Sequence, residues 1–258
     1  SQSLSPAGCS RPRKMAPVKV FGPGKSRNVA RVLMCLVEVG VEYEVVDMDL
    51  KALEHKSPEH LARNPFGQTP AFQDGNLILF ESRAISRYVL RKYKTNEVDL
   101  LREGNLKEAA LVDVWTEVDA HAYNPAISPV VYECLINPLV LGIPTNQKVV
   151  DESIEKLKKV LEVYEAHLSK HKYLAGDFIS FADINHFPHT CSFMATPHAV
   201  LFDSYPNVKA WWERLMAARP SIKKLSASLA PPKACFVGDI WHSGITPLIC
   251  MVLSCWYR

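Results

Sequence analysis

The chain has 258 residues, 48% hydrophobic and 22% charged, with a formal net charge of +3. Those values fit a globular protein of one or two domains and exclude disordered and fibrous classes. No nucleic-acid role is expected, because basic residues mix with acids, as in Glu155, Lys156, Lys158, Lys159 and Glu162.

The first fourteen residues are polar and basic without apolar periodicity, and read as leader or translated upstream sequence with Met15 as the natural start. Lys19-Val20-Phe21 reads as a strand, Gly22-Pro23-Gly24 as a turn, and Val29 to Val39 as a helix stopped by Gly40. Tyr43 to Val46 is a second strand, followed by a helical stretch around Pro58 to Arg63. Thr69 to Gln73 and Leu77 to Phe80 form a hairpin turning at Asp74-Gly75, and a helix from Ser82 to Lys92 closes the set. A small mixed sheet covered by helices is the expected result, as in thioredoxin-like domains.

From Leu106 onward the pattern is helical, with stripes in Ala109 to His121, Val149 to His167, Ile184 to Met194 and Val208 to Ala218. Two domains follow: α/β over residues 15–94 and all-α over 106–229, joined by a polar linker from Tyr93 to Gly104. Ser180-Phe181-Ala182-Asp183 is a capping box for a buried helix. Beyond Pro231 and Pro232 the text becomes sparsely charged and rich in Cys and Trp, so residues 1–14 and 230–258 are expected to be extensions whose loss is tolerated.

Seven cysteines, without a CxxC pair, point to a reducing, cytoplasmic setting rather than a disulfide framework or a zinc site. The uncharged C-terminal stretch, Ser243 to Tyr257, is too short for a span and is interrupted by Pro247, so no membrane association is expected. His186 and His189, three apart, lack a third ligand, and no metal is expected.

Ser26 sits just after the strand and its Gly-Pro-Gly turn, where a helix begins and free amides favour a negative charge. It is either an ordinary N-cap or a donor to a thiolate. In Asn64-Pro65-Phe66-Gly67-Gln68-Thr69-Pro70, a proline opening a strand suggests a cis peptide bond that leaves the Thr69 backbone free to pair with a peptide ligand; a plain turn into an edge strand is the alternative. Glu81, Ser82 and Arg83 place an acid, a hydroxyl and free amides at the start of the next helix, able to hold the amine and carboxylate of a γ-glutamyl group, though Ser82 alone is also an N-cap.

The strings Ala62 to Ala71, Leu79 to Ile85, Lys172 to Asp177 and Tyr205 to Trp212 resemble the phi class of plant glutathione transferases, and the likeness runs from Met15 to about Ala234. The resemblance implies that Ser26 hydrogen-bonds the glutathione sulfur and that His55 and Lys56 hold the glycine carboxylate. It further implies that Gln68, Thr69 and the cis-proline Pro70 engage the cysteinyl moiety, and that Glu81 and Ser82 bind the γ-glutamyl end with Arg83 in support. Arg27, Tyr132 and Ile136 match positions of the apolar second-substrate pocket; Arg27 departs from the proline or aromatic common there, and mere helix packing is the alternative for Tyr132 and Ile136. Cys35 lies inside the first helix, which argues against a thiol nucleophile at the serine's place.

The implied activity is conjugation of the glutathione thiolate to hydrophobic electrophiles, with glutathione as co-substrate, no bound cofactor and a homodimeric state. Hydroperoxide reduction at the same site and non-catalytic carriage of apolar ligands such as flavonoids are the alternatives.

Overall fold

The computed structural model describes residues 16–229; the two stretches expected to be terminal extensions lie outside them. Strands β1 (Val18–Phe21) and β2 (Tyr43–Val46) run parallel, Val18 opposite Tyr43 and Phe21 opposite Val46. A parallel pair needs a crossover, and α1 (Arg27–Glu38) supplies it. Strand β3 (Ala71–Asp74) lies antiparallel to β1, and β4 (Leu77–Phe80) antiparallel to β3, giving the order β2-β1-β3-β4. Gly75, at φ +59°, opens the two-residue turn between β3 and β4. The expected strand from Thr69 starts two residues later, at Ala71, because Pro70 follows a cis bond and has no N–H to give a ladder.

Helix α2 (Pro58–Leu61) starts at Ser57, whose hydroxyl accepts the His60 N–H at 3.2 Å, with Pro58 in the first turn. Helix α3 (Ser82–Lys92) follows β4 directly. Val20 and Phe72 of the sheet, Val32 and Leu36 of α1, and Ile85 and Val89 of α3 are all buried in one core. With the helices covering this four-stranded sheet, the first domain is thioredoxin-like.

The second domain is helical: α4 (Leu106–Val118), α5 (Asn124–Val131), α6 (Gln147–Leu168), α7 (Phe181–Phe193), α8 (Pro206–Ala218) and α9 (Pro220–Leu229). No apolar stripe marks α5 in the sequence, because Pro125 and Pro129 interrupt it; π-helical turns at Asp119–Tyr123 and Tyr132–Leu141 nevertheless carry it on at both ends. Leu157, Leu161 and Tyr164 of α6 share a core with Ile127 and Val131 of α5, and the Tyr164 hydroxyl meets His186 of α7 at 2.8 Å. The capping box forms: the Ser180 N–H donates to Asp183 Oδ2 at 2.9 Å. Asp183 Oδ1 also accepts from the Trp211 indole at 2.9 Å and the Leu174 amide at 3.0 Å, so one carboxylate ties three segments together.

Helix α1 is buried almost all round, because α3 of its own domain and α7 and α9 of the other pack against it. Glu38 near its end accepts from the Arg219 Nε at 2.7 Å and from the Ser221 hydroxyl. Leu100 and Leu101, in the segment expected to be a polar linker, are buried, and the Leu100 carbonyl accepts the Phe181 N–H at 2.8 Å. Among the described residues no helix is long and apolar enough to cross a membrane.

Candidate active site

A polar cleft opens where the first strand, the cis-proline turn and α3 converge, lined by Asn28, Asn64, Gln68, Thr69, Pro70, Glu81 and Ser82. Its first wall is the start of α1. Gly22, at φ +144°, ends β1 where a Cβ would come within 2.9 Å of Thr69 and of Val29, so only glycine lets the loop press against the cis-proline turn. Ser26 is the N-cap of α1 with extended backbone; its N–H donates to the Pro23 carbonyl at 2.9 Å, and its hydroxyl makes no cap bond. Ser26 is half-buried, two residues before the cleft-lining Asn28 and not itself among the residues lining the cleft, at the positive end of a twelve-residue helix.

The second wall is built from its backbone. The Gln68 carbonyl is pinned by two donors, His60 Nε2 and Asn64 Nδ2, each at 2.9 Å. Asn64 Oδ1 accepts the Phe66 N–H at 3.1 Å, which fixes the bend between Asn64 and Gln68. Since the ladder begins at Ala71, the Thr69 amide and carbonyl stand outside it, beside the cleft. His55 and Lys56 do not line the cleft but abut this loop. Lys56 Nζ donates to the Phe66 carbonyl at 3.1 Å, and a Cβ on Gly67 (φ +57°) would lie 2.8–2.9 Å from the Lys56 side chain and the His55 carbonyl. Burial, then the neighbouring Lys56 and His60 charges, lower the His55 pKa.

The third wall is the start of α3. Glu81 occupies its N-cap at φ +70°, ψ +104°, a conformation that costs a non-glycine residue energy and turns its exposed side chain to the cleft rim. Ser82 follows, buried, its Oγ accepting from Arg31 Nη1 at 2.7 Å. Arg83 does not line the cleft; its Nε and Nη2 donate to Asp119 Oδ2, the Nε at 3.0 Å, joining α3 to the helical domain.

Behind the cleft lies a fully buried charge centre. Asp119 receives Arg83, the Asn185 amide at 2.8 Å, and Arg31 at 3.8 Å. Burial alone would raise its pKa, but His186, Arg31 and Arg83 outweigh that and hold it at about 2. Arg31 is lowered to about 10 by burial, partly offset by Asp119, and remains charged at neutral pH. His186, considered as a ligand candidate, is spent on the Tyr164 hydroxyl at 2.8 Å and the Ala182 carbonyl at 2.6 Å. Among the described residues no group of three or more His, Cys, Asp or Glu is placed to hold a metal.

At the other side of Ser26, the Arg27 guanidinium lies over the Tyr132 ring, 4.9 Å from its centroid. Burial lowers the Arg27 pKa, and Tyr132 opposes that. Tyr132 is half-exposed and Ile136 half-buried, both on the π-helical stretch, so Arg27 forms the contact between the two domains' contributions here. Burial pushes the Cys35 thiol up to about 12, which makes it inert.

Asn28, Arg31, His60, Asn64, Asp119 and Asn185 were not singled out by sequence reasoning. Arg31 carries a signal in hindsight, a lone charge inside Val29-Ala30 and Val32 to Val37. Asp119 carries none, since its burial arises only when α3 and α7 close over it.

The chain matches the glutathione S-transferase N-terminal domain family over residues 16–91 and the glutathione S-transferase C-terminal domain family over 123–220. It is 76% identical over 220 residues to the probable glutathione S-transferase GSTF1 of Oryza sativa subsp. japonica, covering 85% of this chain and 100% of that protein. Among solved structures it is similar to a glutathione S-transferase-I bound with lactoylglutathione, at 58% identity and a TM-score of 0.77 over 83% of this chain and 100% of the other. It is also similar to glutathione S-transferase I from mais in complex with an atrazine glutathione conjugate, at 56% identity and a TM-score of 0.76 over 83% and 98%.

Proposed function

The chain belongs to the glutathione S-transferase family, in its plant phi class, and on that premise we propose that Ser26 stabilises the thiolate of glutathione for attack on hydrophobic electrophiles. The observation that carries this reading is the position of Ser26: an uncommitted hydroxyl at the positive end of α1, two residues before Asn28 of a cleft whose other walls present donors and acceptors suited to a tripeptide.

A free thiol has a pKa near ~8.5, so only a few per cent is ionised at neutral pH. A hydroxyl hydrogen bond and the helix N-terminus both favour the anion, so the thiol proton leaves to solvent and the sulfur gains nucleophilicity. The γ-glutamyl end is held by Glu81 and Ser82, with Arg83 supporting through Asp119; the cysteinyl backbone pairs with Thr69 beside Gln68 and Pro70; the glycine carboxylate goes to His55 and Lys56. With an aryl chloride, sulfur adds to the ring carbon, the C–S bond forms and chloride leaves. Arg27, Tyr132 and Ile136 border the apolar electrophile pocket. Proximity and thiolate activation are the whole contribution, and the cycle calls for no bound cofactor.

The domains run over residues 15–94 and 106–229. The protein works in the cytoplasm as a homodimer, without nucleic-acid or membrane partners. Supporting the dimer, Phe66 is 67% exposed on the first domain and meets Phe80 of β4, the strand that also exposes Leu77 and Ile78, while Leu111 and Val114 are exposed on α4. These patches suit an isologous interface in which each subunit's first domain meets the other's helical domain. Light scattering giving about 29 kDa, the mass of one chain, across micromolar concentrations would reject it.

The test is retention on immobilised glutathione followed by a chlorodinitrobenzene assay, with Ser26→Ala alongside. One hydrogen bond to an anion contributes about 1.5–3 kcal/mol, so turnover should fall by roughly ten- to a hundred-fold or more, with binding less affected. Retention without turnover in the parental protein would make it a carrier instead.

A further inference from the structure

We propose that Arg31, which does not itself reach the cleft, forces Asn28 and Ser82 to act as hydrogen-bond donors toward it, so that the cleft selects a carboxylate over an amide at the γ-glutamyl end. Arg31 is thus a positioning residue, and the inference rests on the glutathione reading above.

A guanidinium has five N–H donors and no acceptor. Its Nη1 donates to Asn28 Oδ1 at 2.8 Å and to Ser82 Oγ at 2.7 Å. With its oxygen turned to Arg31, the Asn28 amide directs its NH2 group away from the guanidinium. Ser82 likewise cannot return its proton to Arg31, so its O–H must donate in another direction. Both residues line the cleft. Two donors held in that sense match the oxygens of a carboxylate, whereas the NH2 of a carboxamide would face donors.

The sense of these bonds holds only if Arg31 cannot turn, and the helical domain prevents that. Arg31 is wholly buried; its Nε donates to the Asn185 carbonyl at 3.4 Å, and its Nη2 meets His189 Nδ1 at 3.3 Å and Asp119 at 3.8 Å. Because Arg31 only donates, His189 Nδ1 must accept, which places the ring proton on Nε2. Burial first, then the Arg31 charge, lowers the His189 pKa well below its ordinary value and keeps the ring neutral. Donors that belong to the first domain are therefore oriented by groups on α7 and at Asp119 of the second.

The experiment compares glutathione with its analogue in which the γ-glutamyl α-carboxylate is a carboxamide, by calorimetric titration of the full chain and two variants. The parental protein should prefer glutathione by at least about tenfold, the scale of one charge-assisted hydrogen bond. Arg31→Met, checked for its native near-ultraviolet circular dichroism, should reduce that preference to within about threefold while the bound thiol keeps the parental pKa, since Ser26 is untouched. Asn28→Asp sits at an exposed position and keeps an oxygen for Arg31, so it decides the matter even if Arg31→Met does not fold. It replaces the outward NH2 by an oxygen and should likewise cancel the preference, chiefly by weakening glutathione. A folded Arg31→Met or an Asn28→Asp that still discriminates as the parent does would overturn the inference and leave the glutathione site standing. A parental protein that binds neither ligand would instead bring down the glutathione reading and this inference with it.

Discussion

Replacing Asp119 by asparagine removes the one anion in the buried centre that joins the two domains while keeping its shape. Asp119 accepts from Arg83 and Asn185 and neutralises Arg31 at 3.8 Å, with both Asp119 and Arg31 fully buried. The Asp119 pKa lies at about 2 instead of 3.8, and the part of that drop owed to Arg31 and Arg83, which stay charged where His186 is neutral, contributes at most about 2 kcal/mol of stability at neutral pH. Leaving a buried cation unpaired costs about 3–5 kcal/mol, but the amide oxygen can still accept from Arg83, so the lower part of the combined range is expected. Asp119→Asn should thus lose about 2–4 kcal/mol in urea unfolding at pH 7, with an unchanged denaturant slope, and melt roughly 5–15 °C lower. A loss under about 0.5 kcal/mol would refute the view that this centre holds the domains together.

Acidification should act on the same centre. His189 and His186 are held neutral by burial, so their pKa values lie below the ordinary 6.5; the unfolded chain takes up protons first, and stability falls as the pH drops below about 6.5. Asp119 adds a second decline between about 4 and 2, because its folded pKa is the lower one. Urea midpoints measured from pH 8 to 3 should show both, with the first part reduced in His189→Gln; a flat profile from pH 7 to 5 would contradict it. Gly67→Ala puts a Cβ against Lys56 and the His55 carbonyl at φ +57°, so it should cost more than about 1 kcal/mol and weaken glutathione binding, as read by melting and titration. Arg27→Leu removes the cation over Tyr132 and should favour uncharged over anionic electrophiles by a few-fold in relative kcat/KM, a ratio of order 1 kcal/mol.

What the sequence makes legible depends on how local each determinant is. Tyr43–Val46, Leu77–Phe80 and Ser82–Lys92 match their expected bounds, because a turn signal or the change of period brackets each of them. The cis bond before Pro70 is also legible, as the proline follows a turn and opens a strand. Helix α5 is not marked by any stripe, since Pro125 and Pro129 break the local pattern while Ile127, Val130 and Val131 find their partners on α6 and α7. Within the cleft, Gln68, Thr69, Pro70, Glu81 and Ser82 come together from two adjacent stretches of chain. The Arg31 and Asp119 centre escapes sequence reasoning because it is assembled from α1, α3, α7 and the turn after α4, and a charge's burial is a property of the closed fold. Arg83 follows Glu81 and Ser82 in sequence but turns toward Asp119.

The most direct test of the account is the pKa of the glutathione thiol in the complex, read from the ultraviolet absorbance of the thiolate as the pH is raised, for the parental protein and Ser26→Ala. The parental complex should titrate at least about one pH unit below the free thiol value near ~8.5. Loss of a hydrogen bond of about 1.5–3 kcal/mol should return it by about one to two pH units in Ser26→Ala, with the fold and glutathione binding retained. A bound thiol that titrates like free glutathione in the parental protein, or at the parental value in Ser26→Ala, would contradict the role given to Ser26.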